Sequence, residues 1–323
     1  MSPMKKCVSR VSVARALAVV AAGALCAVLT ACGGGGGGEP IDGSAGASST
    51  AAPPYVPPAT PSQVPPSLPP STPRADPYAP VAGSEPRPDL LAPQPGSTAA
   101  VGNGSEGIYG SIAGDVALIG ASGKLLRKSS GDWIIGSITT TGLNWVFNPE
   151  TIQFMFSDPV TGSGTFSPLK SMDGTFSAGG RSSTPWGPLT YSVENALAVN
   201  QLSVQGSWQS DGAVGLSLAI DSQGKFTGTT NGYSVGNCAI TGTLTQAEPS
   251  TSKNMFAVHI DVPNNSATQG QMACTLGTSP LDGLAAIVLT PAGTYVGNGY
   301  FRSIVMTVSS PQTAFTAVPD KVR

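Results

Sequence analysis

From Gly107 onward, apolar residues recur at every second position in short runs broken by turn formers, a pattern that suits antiparallel sheet and little else. Leu143, Trp145 and Phe147 alternate with Asn144, Val146 and Asn148, and Ile152, Phe154 and Phe156 with Gln153, Met155 and Ser157. Asn148-Pro149-Glu150 lies between the two runs and predicts a hairpin. Further on, Leu216, Leu218 and Ile220 alternate with Ser217, Ala219 and Asp221. Phe256, Val258, Ile260 and Val262 alternate with Met255, Ala257, His259 and Asp261, which predicts a strand with one wet face. Turn signals punctuate the runs at Asp211-Gly212, Gln223-Gly224, Asn264-Asn265, Asp282-Gly283 and Asn298-Gly299. No long helical period competes; at most a short helical turn is expected within Val193 to Leu202.

The runs number about eight before residue 200 and about eight after it, the count a small closed barrel needs to remove its edges. A faint repeat supports the division: Gly107-Ile108-Tyr109-Gly110-Ser111 opens the first half, and Gly206-Ser207-Trp208-Gln209-Ser210 opens the second. The fold class expected is all-β: antiparallel meander halves forming one or two small β-barrels or sandwiches.

Upstream the composition changes character. Lys5, Lys6, Arg10 and Arg15 flank an apolar run from Ala16 to Val28, which is shorter than the ~20 residues of a spanning helix and has the layout of a secretory signal. It ends in Leu29-Thr30-Ala31-Cys32, followed by six glycines. This resembles the lipobox of bacterial lipoproteins, and the resemblance implies cleavage before Cys32, acylation of its thiol (palmitate among the chains) and a mature protein that begins there. Gly33 follows the cysteine; by the same resemblance, the lack of an Asp at that place implies the outer membrane. Several acyl chains, each worth about 0.8 kcal/mol per buried methylene, anchor stably. From Gly33 to about Ser105 the chain is rich in Gly, Ser and Pro, and its prolines predict a stiffened, disordered spacer with no core. The expected organisation is a signal peptide over 1–31, a tether over 32–105, one β half over 106–200 and a second over 201–323.

Removing the leader leaves 12 basic and 18 acidic residues, net −6, with no basic patch. Nucleic acid and electrostatic docking on anionic lipid are therefore not expected, and the membrane partner enters through Cys32 alone. Cys7 and Cys26 leave with the leader, so Cys238 and Cys274 are the pair in the folded region. In an exported protein they most simply form a disulfide, here with 36 residues of separation. Cys238 is in phase with Ile240 and Leu244, which suits a buried bridge. Two thiols and one distant histidine do not make a four-ligand metal site, and no metal or cofactor is expected.

In the second half, Gly206-Ser207-Trp208, the run Leu218 to Gly228, Asn237-Cys238-Ala239-Ile240-Thr241-Gly242-Thr243, Asn254-Met255-Phe256-Ala257-Val258 and Cys274 resemble a group of proteobacterial envelope lipoproteins with lipocalin-like barrels. They are more loosely similar to the barrels of transferrin-binding surface lipoproteins. The resemblance spans about residues 107–310; Asn237 stands where those proteins usually carry the glycine of a Gly-Cys pair, with Gly236 one place earlier. It implies a β-barrel fold and carries no catalytic residue to this chain.

The chemistry legible in the residues is sparse. A Ser-His-Asp hydrolase would rest wholly on His259, the one histidine, and no G-x-S-x-G elbow accompanies it. Gly102-Asn103-Gly104-Ser105-Glu106-Gly107 has the spacing of a dinucleotide fingerprint but precedes a strand, where no helix N-terminus meets a pyrophosphate. Asp211, Asp221 and Asp282 sit in turn-like contexts that suit backbone capping more than paired-carboxylate catalysis. Arg181 and Trp186, in Arg181-Ser-Ser-Thr-Pro185-Trp186-Gly187-Pro188, form the candidate contact loop, with the alternative that Trp186 folds back over a barrel end. The expected function is a monomeric, outer-membrane-anchored, non-enzymatic binding module for a small molecule or protein. A structural envelope protein with a filled barrel is the alternative, and a lipid-anchored hydrolase the third reading.

Overall fold

Period-two strands with one apolar face need a curved partner surface, and here each half supplies its own by closing on itself. In the computed structural model, residues 76–263 and 272–323 are described. The first ring contains β1 (Gly107–Gly110), β2 (Val116–Ile119), β3 (Lys124–Ser129), β4 (Asp132–Thr141) and β5 (Asn144–Phe147). It continues with β6 (Ile152–Gln153), β7 (Asp158–Ser167), β8 (Ser171–Ala178), β9 (Thr184–Pro185) and β10 (Leu189–Tyr191). β5 and β6 share the place between β4 and β7, and β10 bridges β8 to β1 with Tyr109 opposite Tyr191. The result is a closed antiparallel barrel of eight strand positions, with β9 added along β8.

The second ring contains β11 (Gly206–Gln209), β12 (Leu216–Ile220), β13 (Lys225–Gly232), β14 (Gly236–Gln246) and β15 (Phe256–Asp261). It closes through β16 (Leu281–Pro291), β17 (Tyr300–Ser309) and β19 (Asp320–Lys321), with β18 (Ala314–Ala317) lying along β17. Trp208 opposite Lys321 seals this second eight-strand barrel. The chain is all-β: two closed antiparallel barrels, with no α-helix among the described residues. Two 3₁₀ turns, Val193–Ala196 and Gln201–Val204, fill the connection.

The faint repeat has a physical counterpart. Tyr109 donates its hydroxyl to the carbonyl of Ser105 at 3.0 Å, and Trp208 donates Nε1 to the carbonyl of Val204 at 2.7 Å, each reaching back four residues. Gly123 and Gly224 close equivalent turns with φ +82° and +79°, and a Cβ on either would lie 2.3 Å from the carbonyl oxygen of Ile138 or Leu244. Those same carbonyl-bearing residues return a hydrogen bond, Ile138 N to Gly123 O and Leu244 N to Gly224 O. Only glycine satisfies both the positive φ and the close approach.

Each lumen is lined by alternate residues of its strands. Barrel 1 packs Tyr109, Leu125, Ile138, Trp145, Phe147 and Met172 among others, and barrel 2 packs Trp208, Leu218, Phe226, Val258, Ile304 and Phe315. A third cluster joins the barrels, with Ile108, Leu118 and Leu126 of the first meeting Met255, Leu284, Ala286 and Val305 of the second. Residues 76–105 belong to the same compact unit as the barrels and run across them as an irregular strap, which corrects the expected end of the disordered tether at residue 105: from residue 76 the chain is packed. Glu85 bridges to Tyr300 and takes two hydrogen bonds from Arg302, at 2.7 and 2.9 Å, while Leu90 packs on the barrel 1 core.

Three local expectations need correction. Phe154–Phe156 is a 3₁₀ turn ending on Ser157 at φ 53°, so the second alternating run stops after Gln153 and leaves Met155 and Phe156 exposed. Asn148-Pro149-Glu150 joins β5 to β6, which pair with β4 and β7 and not with each other. Asp282-Gly283 lies inside β16, because β16 pairs with both neighbours at these residues and the ladder leaves no room for a turn. Asn264-Asn265 lies outside the described residues.

Candidate functional site

Position 127 puts a charge where alternation demands an apolar residue. Leu125 and Arg127 share the inward phase of β3, and Arg127 lies opposite Ala117, itself buried in the lumen. The guanidinium donates from Nη2 to Asp115 Oδ2 at 2.7 Å, and both side chains are about nine-tenths buried (8% and 11% exposed). Burial alone would raise the Asp115 carboxyl; hydrogen bonds from Arg127, Ser129 and Ser111, with the charge of Arg127, hold it below the usual carboxylate range. The other two guanidinium nitrogens are different: Nε and Nη1 are buried with no protein partner.

Trp186 lies against this cation, with the guanidinium carbon 4.4 Å from the ring centroid. Trp145, Phe147 and Phe176 surround the indole at 5.5, 5.1 and 6.1 Å between centroids. Room for Trp145 in this cluster comes from Gly174, where a Cβ would lie 2.6 Å from its ring. The indole Nε1–H of Trp186 is also buried without a partner. Among the described residues, every buried side-chain polar atom left unpaired belongs to barrel 1: those of Arg127 and Trp186, and the hydroxyl of Tyr191. Burial, then the charge of Glu106, pushes the Tyr191 phenol well above its ordinary value.

Trp186 is therefore not presented by its loop to a partner. It is fully buried, because Pro185 and Gly187 carry it past the end of β9 and its own N–H bonds the carbonyl of Gly174 at 2.9 Å. Arg181 stays exposed, paired with Asp158 and 4.7 Å from the centroid of Phe156. Cys238 and Cys274 form a disulfide with Cα atoms 4.9 Å apart, Cys238 being buried in the barrel 2 core. Cys32 lies outside the described residues.

His259 projects from the wet face of β15 as expected. Its Nδ1 faces Asp282 Oδ1 at 2.8 Å and its Nε2 faces Asp261 Oδ1 at 3.3 Å, so both ring nitrogens are occupied by carboxylates and, among the described residues, neither faces a hydroxyl. Asp221 caps its own turn, accepting from the N–H groups of Gln223 and Lys225. Among the described residues, no group of three or more His, Cys, Asp or Glu side chains is placed to hold a metal ion.

A second polar cluster ties the two barrels and the strap together. Lys253 Nζ donates to the Ala99 carbonyl at 2.9 Å and to Glu106 Oε1 at 3.1 Å, and Glu106 Oε2 accepts from Gly104 N at 2.9 Å. Asn254 bonds the N–H and carbonyl of Ile287 and the carbonyl of Glu194. The cavity beside them is about 10 Å³, room for about one water. Two larger concavities lie on the surface: about 510 Å³ on the outer wall of barrel 2 around Ser217 and Thr229, and about 450 Å³ beside the strap around Pro80 and Tyr300. Compared with protein-family models, with curated proteins and with solved structures, the chain finds no match.

Proposed function

We propose that this chain is a lipid-anchored envelope protein of the outer membrane, monomeric, whose two-barrel head is a non-enzymatic binding module. The anchor rests on Leu29-Thr30-Ala31-Cys32 at the end of a short apolar run. The likeness to lipocalin-like envelope lipoproteins is supported at the level of architecture by two closed eight-strand barrels.

The binding half of the reading rests on one observation, the unpaired donors of Arg127 and Trp186 inside barrel 1. A buried donor without an acceptor costs about 1–3 kcal/mol, and a lumen built only for packing would have apolar side chains at both positions. Barrel 2 favours the alternative for its own half: its lumen is filled by apolar side chains, as suits a structural element.

Metabolic labelling with a radiolabelled fatty acid tests the anchor. Label is expected in the wild-type chain and absent from Cys32→Ala, and equal incorporation in the two would remove the localisation reading.

A further inference from the structure

We propose that the end of barrel 2 where the strap begins is a membrane-docking face, and that its occupant is a bilayer surface carrying anionic phospholipid headgroups. This reading builds on the lipid anchor proposed above and says which side of the head the anchored membrane meets.

Four large apolar side chains stand out to solvent at this end: Tyr78 and Val81 of the strap, and Tyr295 and Val296 of the turn between β16 and β17. Val296, at the tip, is 80% exposed. A polar clasp fixes them in place. Asn298, itself buried, accepts from the N–H of Tyr295 and donates to the carbonyls of Pro77 and Ala79, each at 2.9 Å. Tyr78 then rests on Tyr295 with ring centroids 4.5 Å apart. Apolar tips held outward by a buried clasp are built for display, and tyrosine suits the headgroup boundary, where one end of the ring is apolar and the other wet.

Cations lie around the same end. Two adjoining concavities share Glu85 and Tyr300; one, about 450 Å³, has Arg87 on its wall, and the other, about 260 Å³, has Arg302, Lys321 and Arg323. Glu85 pairs with Arg302, while among the described residues Arg87, Lys321 and Arg323 form no ion pair. No basic run marks them in the sequence, because folding gathers them from the strap, β17 and the end of β19. The overall charge of −6 counts against anionic lipid only where it is felt, and beyond about 8 Å physiological salt screens it, so the local cluster decides.

The course of the chain selects this face as well. The described residues begin at Asp76, next to Tyr78, so an anchor at Cys32 draws this end of the head toward the bilayer. Met155 and Phe156 of barrel 1 are also exposed, but Arg181 beside them is already paired with Asp158, and the chain does not enter there.

The test uses residues 32–323, the chain that cleavage at the lipobox would leave, with Cys32→Ala so that no acyl group contributes. It is mixed with vesicles of phosphatidylethanolamine and phosphatidylglycerol, and separately with vesicles of phosphatidylcholine alone, and the bound fraction is read by flotation. Binding to the anionic vesicles is expected, falling as salt rises and weaker on phosphatidylcholine. Val296→Asp is expected to weaken it at least about tenfold. Arg87→Ser and Arg323→Ser, both at exposed positions, are expected to weaken it about fivefold each, the equivalent of about 1 kcal/mol per cation near the surface. Ile112→Asp, at a fully exposed apolar position on barrel 1, is expected to change nothing.

No flotation with either vesicle overturns the proposal, as does a loss with Ile112→Asp equal to that with Val296→Asp. Equal binding to the two compositions, or no effect of Arg87→Ser and Arg323→Ser, overturns the pairing of these cations with headgroups. Fatty-acid label on Cys32 without flotation leaves the anchor and removes the docking face; flotation without label leaves the face and removes the anchor.

Discussion

His259 has a carboxylate on each ring nitrogen, and that arrangement gives a single residue a measurable effect on pH dependence. The hydrogen bond with Asp282 raises its pKa above the ordinary 6.5, partial burial opposes this, and the charges of Asp282 and Asp261 add to the rise. A histidine that holds its proton more tightly folded than unfolded stabilises the fold below the unfolded pKa, and the contribution disappears as pH rises through the folded value. The difference in thermal midpoint between wild type and His259→Gln is therefore expected to be largest near pH 5 and to close above neutrality. A difference that grows with pH would mean that the carboxylates do not hold the proton. The side chain is 43% exposed, so solvent and salt screening keep the effect small. Other residues show how far local sequence reaches. Asp221 was legible as a turn cap because an Asx turn is closed within four residues. Trp186 was not, since Pro-Trp-Gly-Pro fits a displayed loop and an inward one equally well. Arg127 could have been found: it shares the phase of Leu125, and a charge on an inward phase marks either a strand end or a lumen polar group.

At the level of elements, the Cys238–Cys274 bridge ties β14 to the segment that leads into β16 and so encloses β15. A loop of 36 residues restricts the unfolded chain enough to contribute about 3–4 kcal/mol. The double replacement Cys238→Ala/Cys274→Ala is expected to lower the urea midpoint by that equivalent, and reduction of the wild-type protein to reproduce it. An unchanged midpoint in both would show that the bridge constrains nothing. Strands of one wet face, such as Leu216–Ile220 and Phe256–Asp261, were readable because their outer residues meet solvent and alternate in polarity. Alternation fades where both faces are covered. Val116-Ala117-Leu118-Ile119 and Leu284-Ala285-Ala286-Ile287 are continuous apolar runs, since Leu118, Leu284 and Ala286 leave the lumen to meet the other barrel. Those runs carried the barrel-to-barrel contact in plain view, whereas the end of strand pairing at Phe154 is set by tertiary contacts and has no local signal.

The whole molecule depends on how two barrels and a strap become one body. The apolar cluster of Ile108, Leu118, Leu126, Met255, Leu284 and Val305 supplies contact area, and the Lys253–Glu106 pair supplies its polar centre. Lys253 leaves barrel 2, Glu106 opens barrel 1, and Ala99 belongs to the strap, so one ammonium touches all three parts. Its side chain is 7% exposed and that of Glu106 is 5%. Desolvating both charges offsets most of their attraction, so the intact pair contributes little net stability; breaking it is another matter, because the survivor stays buried and unpaired. Lys253→Met is therefore expected to lower stability by about 3–5 kcal/mol, as is the removal of Glu106 alone by Glu106→Leu. The double variant Lys253→Met/Glu106→Leu is expected to recover most of that loss, since no charge is then left in the seam. Urea unfolding followed by tryptophan fluorescence reads both barrels, through Trp133, Trp145 and Trp186 in the first and Trp208 in the second. A double variant as unstable as either single one would mean that the two side chains act by shape, filling the space beside Asn254 and Met255, and that charge is incidental to joining the barrels.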